Sequence, residues 1–298
     1  MKLLIGAASA ATALLALASV QPAAASSFFF STGDTDGRMA VATRPDSTGK
    51  FEIEAADDFV LTTGASITSA TFTGLMPTGA SVSNVVVEIY RVFPLDSNTG
   101  RTSGPPTFST NNVPTRVNSP SDVALDSRDL AGGTLNVSTT TLQSSFQAAN
   151  SIQPGGIHPQ PGETTGGDGA VTGQEVEFDV TFTNPFSLPA DHYFFVPQVE
   201  LAGTDEFLWL SAPKPIVPPG TSFPTGFTDL QSWTRDGSAN GIEPDWLRVG
   251  ADIVGGTPAP TFNQAFSLTG TIPEPATLSL LGSGLLGLLF LRRTRSPR

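Results

Sequence analysis

The chain has 298 residues, no cysteine, and a formal net charge of −12 at pH 7 from 15 basic and 27 acidic residues. The lack of cysteine excludes disulfides, cysteine nucleophiles and thiolate metal sites. The negative charge argues against binding to nucleic acid or to anionic membrane surfaces. The 30 glycines and 25 prolines, with abundant threonine, are typical of a protein built from strands and turns.

The N-terminus has the pattern of a secretory signal peptide. A lysine and an apolar stretch over residues 3–20 precede the small residues Ala23 and Ala25, which come just before Ser26. We expect the Sec translocon to export the chain and signal peptidase to cut between Ala25 and Ser26, which removes the signal helix within residues 1–25. The alternative is an uncleaved N-terminal membrane anchor.

Residues 26–271 are predicted to form one exported all-β domain. Residues Glu175–Thr183 alternate between polar and apolar side chains, as in a half-buried antiparallel strand. Val85–Phe93 is more continuously apolar, which favours a central strand buried on both faces. A strand is also expected over residues 247–253, and Thr141–Asn150 is the best short helical candidate. Strands separated by Gly, Pro, Asn and Asp turns indicate an antiparallel β-sandwich.

The segment from Val176 to Val199 is interpreted as two strands joined by a corner over residues 184–191. This corner resembles the hairpin of jelly-roll domains, in which a Leu-Pro-x-x-x-Tyr turn precedes an aromatic strand, and the resemblance implies a jelly-roll-like sandwich. Residues 96–121, 151–173 and 211–229 are rich in Pro, Gly, Ser and Asn and are predicted to be long loops. Such loops form a binding face where they cluster at one end of a sandwich.

Few residues indicate catalysis. The only histidines are His158, in a predicted loop, and His192, at the start of an aromatic strand. The exported segment has no G-x-S-x-G motif after a strand, and two distant histidines do not suit a zinc site. Acidic residues are so numerous that a glycosidase-like pair carries little information. We therefore expect no catalytic residue, no enzyme activity and no obligatory cofactor.

Two acidic segments are candidates for calcium binding. Asp34 and Asp36, in the sequence Asp-Thr-Asp-Gly, resemble the beginning of a calcium loop, although its later ligands are missing. Asp57 and Asp58 are adjacent in a predicted strand and so point to opposite faces of the sheet. At least one of them therefore requires a partner such as calcium, an arginine such as Arg248, or a turn.

The three tryptophans are candidates for stacking on sugars. Trp209 and Trp246 lie in strand-like segments and are expected in the core. Trp233 is expected to be the exposed one, so it is the candidate ligand-binding residue for an extracellular polysaccharide.

The C-terminal residues 272–298 combine a proline-rich tripeptide, an apolar run and a basic end. In order, these are Pro273, Glu274 and Pro275, then Thr277–Leu291, then Arg292 and Arg293. A fifteen-residue helix rises about 22 Å, which is less than the roughly 30 Å of a hydrocarbon core. It can still span a membrane if the bilayer thins and the arginines extend to the headgroups. The positive-inside rule keeps those arginines cytoplasmic.

This tail resembles the PEP-CTERM sorting signal, which consists of a Pro-Glu-Pro motif, a short transmembrane helix and a basic end. The resemblance implies an exosortase partner that cleaves near the motif, after transient anchoring in the inner membrane, and delivery to the cell surface or extracellular space. An ordinary stop-transfer anchor with a proline-rich stalk is the alternative.

The expected function is a non-enzymatic structural or adhesive component of the cell surface or extracellular matrix. One alternative is a carbohydrate-binding module of that matrix. A second alternative is a secreted glycoside hydrolase or lyase, which requires a cleft with two carboxylates, one of them with a raised pKa.

Overall fold

Two β-sheets account for more than half of the residues that the structure describes. The computed structural model describes residues 26–93, 95, 117–121, 123–157, 164–237 and 246–273. Within these residues the all-β prediction is confirmed. The strands are β1 (Ser26–Ser31), β2 (Met39–Ala42), β3 (Ile53–Leu61), β4 (Ala65–Met76), β5 (Val82–Arg91), β6 (Asp126–Asp129), β7 (Leu135–Ala148), β8 (Asn150–Ile152), β9 (Val171–Leu188), β10 (Asp191–Leu201), β11 (Leu208–Ala212), β12 (Trp233–Asp236), β13 (Leu247–Arg248), β14 (Asn263–Gln264) and β15 (Phe266–Ile272).

The larger sheet has nine strands and is organised around β4. One path runs in the order β1-β15-β4-β11-β2-β8, and β14 pairs with β11. On its other edge β4 pairs antiparallel with the long strand β9, and β9 pairs with β7. The strands β1, β15, β4, β9 and β7 therefore lie side by side, although they come from opposite ends of the sequence.

The smaller sheet has six strands in the order β13-β12-β3-β10-β5-β6. Its centre is the antiparallel pair of β3 and β10, in which Phe194 lies opposite Asp58 and Tyr193 opposite Phe59. The strand β10 pairs with β5 on its other side, and β3 pairs with β12.

Aromatic side chains from both sheets form the core between them. Phe195 of β10 stacks on Phe266 of β15 with ring centroids 5.0 Å apart, and it meets the edge of Trp209 of β11 at 6.0 Å. These contacts join the two layers face to face, as in a β-sandwich. Each fully buried ring of this kind contributes roughly 1.5–3 kcal/mol relative to an exposed one.

The strand β5 is not buried on both faces, so the prediction for Val85–Phe93 is wrong; β3 is one of the strands that are wholly buried. All nine residues of β3 are buried, whereas β5 alternates between buried and half-buried positions. The inner face of β3 joins the main core, and Ala56 on its outer face joins a second apolar cluster with Phe194 and Trp246. The strand β3 is therefore buried on both faces although it contains Glu54, Asp57 and Asp58.

Three further local predictions differ from the structure. Thr141–Asn150 is not helical: most of it belongs to β7, whose serines and threonines are exposed. The expected strand over 247–253 ends after Arg248 and continues as a π-helical turn, Val249–Val254. The expected hairpin after β9 is a connection between sheets, because β9 and β10 belong to different sheets.

The connection between β9 and β10 is held by the tyrosine of the Leu-Pro-x-x-x-Tyr pattern. The Tyr193 hydroxyl donates a hydrogen bond to the Pro189 carbonyl at 2.9 Å, and its ring stacks on Phe59 at 5.5 Å. Because this hydroxyl satisfies a carbonyl at the turn, the chain can change sheets within two residues.

Residues Ser27–Ile272 form one compact unit that contains both sheets. In the described part of the chain, no helix has the length and apolarity needed to cross a bilayer. The predicted signal helix within 1–25 and the predicted transmembrane helix over 277–291 lie outside the described residues.

Candidate functional site

One candidate site in the described part of the chain is a groove on the outer face of the nine-stranded sheet. It has a volume of about 490 Å³ and is lined by side chains from β1, β15, β4, β9 and β7 and from the loop after β1. The inward residues of these strands, such as Phe72 and Phe178, fill the core, so the alternate residues face the groove.

Three carboxylates line this groove. Glu175 is 3% exposed and accepts a hydrogen bond from the Thr35 hydroxyl at 2.6 Å. Glu177 follows two residues later on the same face of β9, about 7 Å further along the strand. Asp34 lines the groove from the loop after β1. Burial raises the pKa of Glu177, and the negative charges of Asp179, Asp34 and Glu175 raise it further.

The rest of the groove combines hydroxyl groups with exposed apolar side chains. The Thr71 and Ser267 hydroxyls share a hydrogen bond of 2.7 Å on its floor. Phe29 of β1 and Leu142 of β7 are 58% and 49% exposed at its sides. An exposed ring beside hydroxyl and carboxylate groups offers both stacking and hydrogen bonding to a polar ligand with an apolar face.

A second cluster of carboxylates lies on the outer face of the six-stranded sheet. Oxygens of Glu52, Glu54 and Glu88 lie within 4.8 Å of one another. Glu54 forms an ion pair with Arg235 and accepts a hydrogen bond from the Tyr90 hydroxyl at 2.6 Å. Burial raises the pKa of Glu88 to about 8, with further contributions from Glu54 and Glu52. Because Arg235 already neutralises Glu54, this cluster works as an internal polar network.

The predicted pair Asp57 and Asp58 points to opposite sides of β3, as expected for adjacent strand residues. Asp57 accepts a hydrogen bond from the Gln264 backbone N–H at 2.8 Å, on the side of the larger sheet. Asp58 accepts one from the Leu230 N–H at 3.1 Å and pairs with His192 Nε2 at 2.6 Å. Burial raises the pKa of both carboxyls and lowers the pKa of His192 to about 4.

The predicted calcium residues are therefore not brought together. Asp34 faces the groove, whereas Asp36 closes a turn by accepting hydrogen bonds from the Arg38 N–H at 3.0 Å and the Ser211 hydroxyl at 2.5 Å. Asp57 and Asp58 are bound by protein groups on two sides of the other sheet. Arg248, considered as their partner, pairs with Asp252 at 2.6 Å.

The expectation that Trp233 is exposed is wrong. Trp233 is 3% exposed, and its position opposite Ala56 places its ring in the second apolar cluster with Trp246 and Leu230. A small residue on β3 leaves room for the indole, so the ring packs inward and cannot stack on a sugar. Trp209 and Trp246 are fully buried, which confirms their predicted place in the core.

The groove carboxylates Glu175 and Glu177 were missed as site residues in the sequence. Their alternation with valine and phenylalanine correctly places them on the polar face of β9. The alternation does not show that β1 and β15 supply other parts of the same groove. These strands lie about 150 residues before β9 and about 90 residues after it. Long-range pairing of this kind has no local signal.

Only Ser26 and Pro273 of the predicted processing residues lie in the described part of the chain. Ser26 begins β1, and Pro273 follows the last residue of β15. The other predicted processing residues lie outside the described residues: Ala23, Ala25, Glu274, Pro275, Arg292 and Arg293. His158 also lies outside them.

Comparison with protein families decides the identity of the tail. Residues 271–295 match the PEP-CTERM protein-sorting motif. The tail is a PEP-CTERM sorting motif. The matched segment contains the Pro-Glu-Pro tripeptide and both predicted sorting arginines, and it starts within β15. A PEP-CTERM tail marks an exported protein that an exosortase processes. No curated protein and no solved structure matches the chain.

Proposed function

We propose that this chain is the precursor of a non-enzymatic structural or adhesive protein of the cell surface or extracellular matrix. The observation that carries this proposal is the PEP-CTERM motif, which directly follows a folded all-β domain. The Sec translocon exports the chain, signal peptidase removes residues 1–25, and the helix over 277–291 anchors the precursor transiently in the inner membrane. An exosortase then cleaves near Pro273.

The position of the Pro-Glu-Pro tripeptide after β15 supports the proposal that cleavage there leaves the folded domain intact. The register of β15 runs from Phe266 opposite Phe72 to Thr271 opposite Ser66. Pro273 cannot donate a backbone hydrogen bond, so the sheet pairing ends where the tripeptide begins. Cleavage at or after the tripeptide therefore leaves β15 paired and the domain intact.

Mass spectrometry of the protein from wild-type and exosortase-deleted cells tests the proposal. We expect a mature C-terminus near the tripeptide in wild-type cells and the full tail in the deletion strain. Replacing Pro273, Glu274 and Pro275 by alanine should block processing, whereas Pro297→Ala, outside the matched segment, should not. A mature wild-type protein that still ends at Arg298 would overturn the proposal.

The groove favours a second candidate function, binding of a polysaccharide of the matrix. We propose neutral or amino sugars as its ligands, since Asp34, Glu175 and Glu177 would repel uronates and sulfated sugars. Phe29 supplies the stacking ring that Trp233 was expected to supply. The supporting observation is the combination of an exposed ring, hydroxyls and carboxylates in one groove.

Titration of the exported domain with neutral, amino and acidic polysaccharides tests the second candidate. Phe29→Ala should weaken binding about 10-fold or more, because a stacking contact contributes about 1.5 kcal/mol. Phe227→Ala is the matched control, since this ring is also exposed but lies beside His192. Equal effects of the two substitutions, or preference for acidic polymers, would refute the assignment of the groove.

The same groove is also a candidate location for a hydrolase site. Glu175 and Glu177 form a carboxylate pair, and the raised pKa of Glu177 is the direction that a general acid needs. Release of reducing ends that Glu177→Gln abolishes would establish a hydrolase. Binding without release, retained by Glu177→Gln, would establish a binding module, which is the second candidate function.

A further inference from the structure

The strand β7 forms a long edge of the nine-stranded sheet. It pairs with β9, and among the described residues no other strand pairs with it. Ten of its side chains, from Asn136 to Gln147, are exposed. An edge strand of this kind presents unpaired backbone N–H and C=O groups to any extended chain that approaches it.

The usual protection of an edge strand is absent from one half of β7. The fourteen residues of β7 contain no charged residue and no proline, both of which would hinder pairing. Bulges interrupt its register with β9 between Thr141 and Gln143 and between Gln143 and Phe146. These bulges distort the second half of the strand. The first half, residues 135–141, keeps a regular register and remains suited to pairing.

We propose that two copies of the domain associate by antiparallel pairing of residues 135–141 of β7. Such an interface is isologous, because the same segment contributes from both copies. Antiparallel pairing of this segment centres on Ser138, which lies opposite its own copy, and places Thr139 opposite Val137. A hydroxyl pair and a pair of β-branched side chains therefore meet across the junction, and cross-strand pairs contribute to the stability of a sheet. The two nine-stranded sheets then continue into each other as one sheet.

The uncharged edge of β7 is a surface on which two copies of this acidic domain can meet without placing carboxylates against each other. Between the signal and the tail the chain carries 10 basic and 26 acidic residues, so two copies repel each other over most of their surface. The nearest carboxylates are Glu177 and Asp179, on β9 opposite Thr140 and Ser138. In the paired sheet the two β9 strands lie three strand spacings apart, about 14 Å. This exceeds the Debye length of about 8 Å at physiological salt, so their repulsion is screened.

Sedimentation of the segment Ser26–Pro273, which includes the compact unit Ser27–Ile272 with the core, tests the proposal. We expect a monomer–dimer equilibrium that tightens as salt is added. Thr139→Lys with Thr141→Lys should weaken it about 100-fold or more, because like charges are then placed at the pairing edge. Ser145→Lys with Gln147→Lys adds the same charge to the bulged half and should not weaken the dimer.

Hydrogen exchange of the unsubstituted domain provides a measurement that needs no variant. Amides within residues 136–141 should become more protected as the protein concentration rises, while those within 143–147 should not. A domain that stays monomeric up to about 1 mM would overturn the proposal. So would a dimer that is equally weakened by both lysine pairs, or an exchange pattern that is independent of concentration. None of these outcomes depends on exosortase processing or on sugar binding.

Discussion

The carboxylate network around Glu88 makes the stability of the domain depend on pH in a defined direction. The folded domain raises the pKa of Glu88 to about 8, from an ordinary value of 4.5. Between these values the folded state holds a proton that the unfolded state has released. Raising the pH therefore favours the unfolded state, and the contribution of Glu88 to stability is lost as pH rises through this interval.

The interval from pH 6.5 to 8 isolates this effect from that of His192. Burial lowers the pKa of His192 from 6.5 to about 4, so between these values only the unfolded state binds a proton there. The contribution of His192 to the free energy of unfolding therefore rises with pH and is nearly complete at pH 6.5. Between pH 6.5 and pH 8, the titration of Glu88 should lower the free energy of unfolding by about 2 kcal/mol, at about 1.36 kcal/mol per pH unit. In a domain of this size the loss corresponds to about 4–8 °C in Tm.

Thermal and urea unfolding of the wild type and of Glu88→Gln across this interval measures the effect. Glutamine keeps the neutral form of the side chain at every pH, so the wild type should lose about 2 kcal/mol relative to Glu88→Gln between pH 6.5 and 8. Asp179→Asn, an exposed carboxylate of the other sheet, serves as control and should leave the pH slope of the wild type unchanged. If the stability of the wild type and of Glu88→Gln varied with pH in parallel, Glu88 would not have the raised pKa on which this prediction depends.

Three further substitutions test other parts of the structure by urea unfolding. Arg235→Met leaves Glu54 charged and buried, so the free energy of unfolding should fall by about 3–5 kcal/mol, and adding Glu54→Gln should recover part of it. A loss below about 1 kcal/mol would show that the ion pair is not needed for stability. Phe195→Ala opens a cavity between the sheets and should lower the free energy of unfolding by about 3–5 kcal/mol. A change within about 0.5 kcal/mol, as for a surface residue, would contradict the packing of Phe195 between the sheets. Tyr193→Phe removes the hydrogen bond to the Pro189 carbonyl and should cost about 1 kcal/mol. No change in stability would exclude a role for that bond.

Local patterns predicted the parts of the fold that depend on neighbouring residues. The alternation in β9 and the burial of Trp209 and Trp246 follow from periodicity and composition along a few residues. The sorting motif is likewise contiguous, so its three elements can be recognised in order along the chain.

The features that were missed depend on partners distant in the sequence. β3 contains four acidic residues in and just before it, yet it is buried on both faces because Arg235, His192 and backbone N–H groups supply partners. Trp233 is buried because Ala56, almost 180 residues earlier, lies opposite it. The local sequence around β3 and Trp233 carries no signal for these pairings, so periodicity alone predicts the burial of neither.

The distribution of charge limits what the surface can bind. In the described residues every lysine and arginine lies within 4.0 Å of a carboxylate oxygen, from Arg38 beside Asp36 to Arg248 beside Asp252. The basic residues are thus neutralised locally, and the excess carboxylates determine the sign of the outer field. Nucleic acids, anionic lipids and acidic polymers are repelled by such a surface. The uncharged edge of β7 and the groove that we propose for neutral or amino sugars are the kinds of surface through which an acidic exported domain can bind a partner.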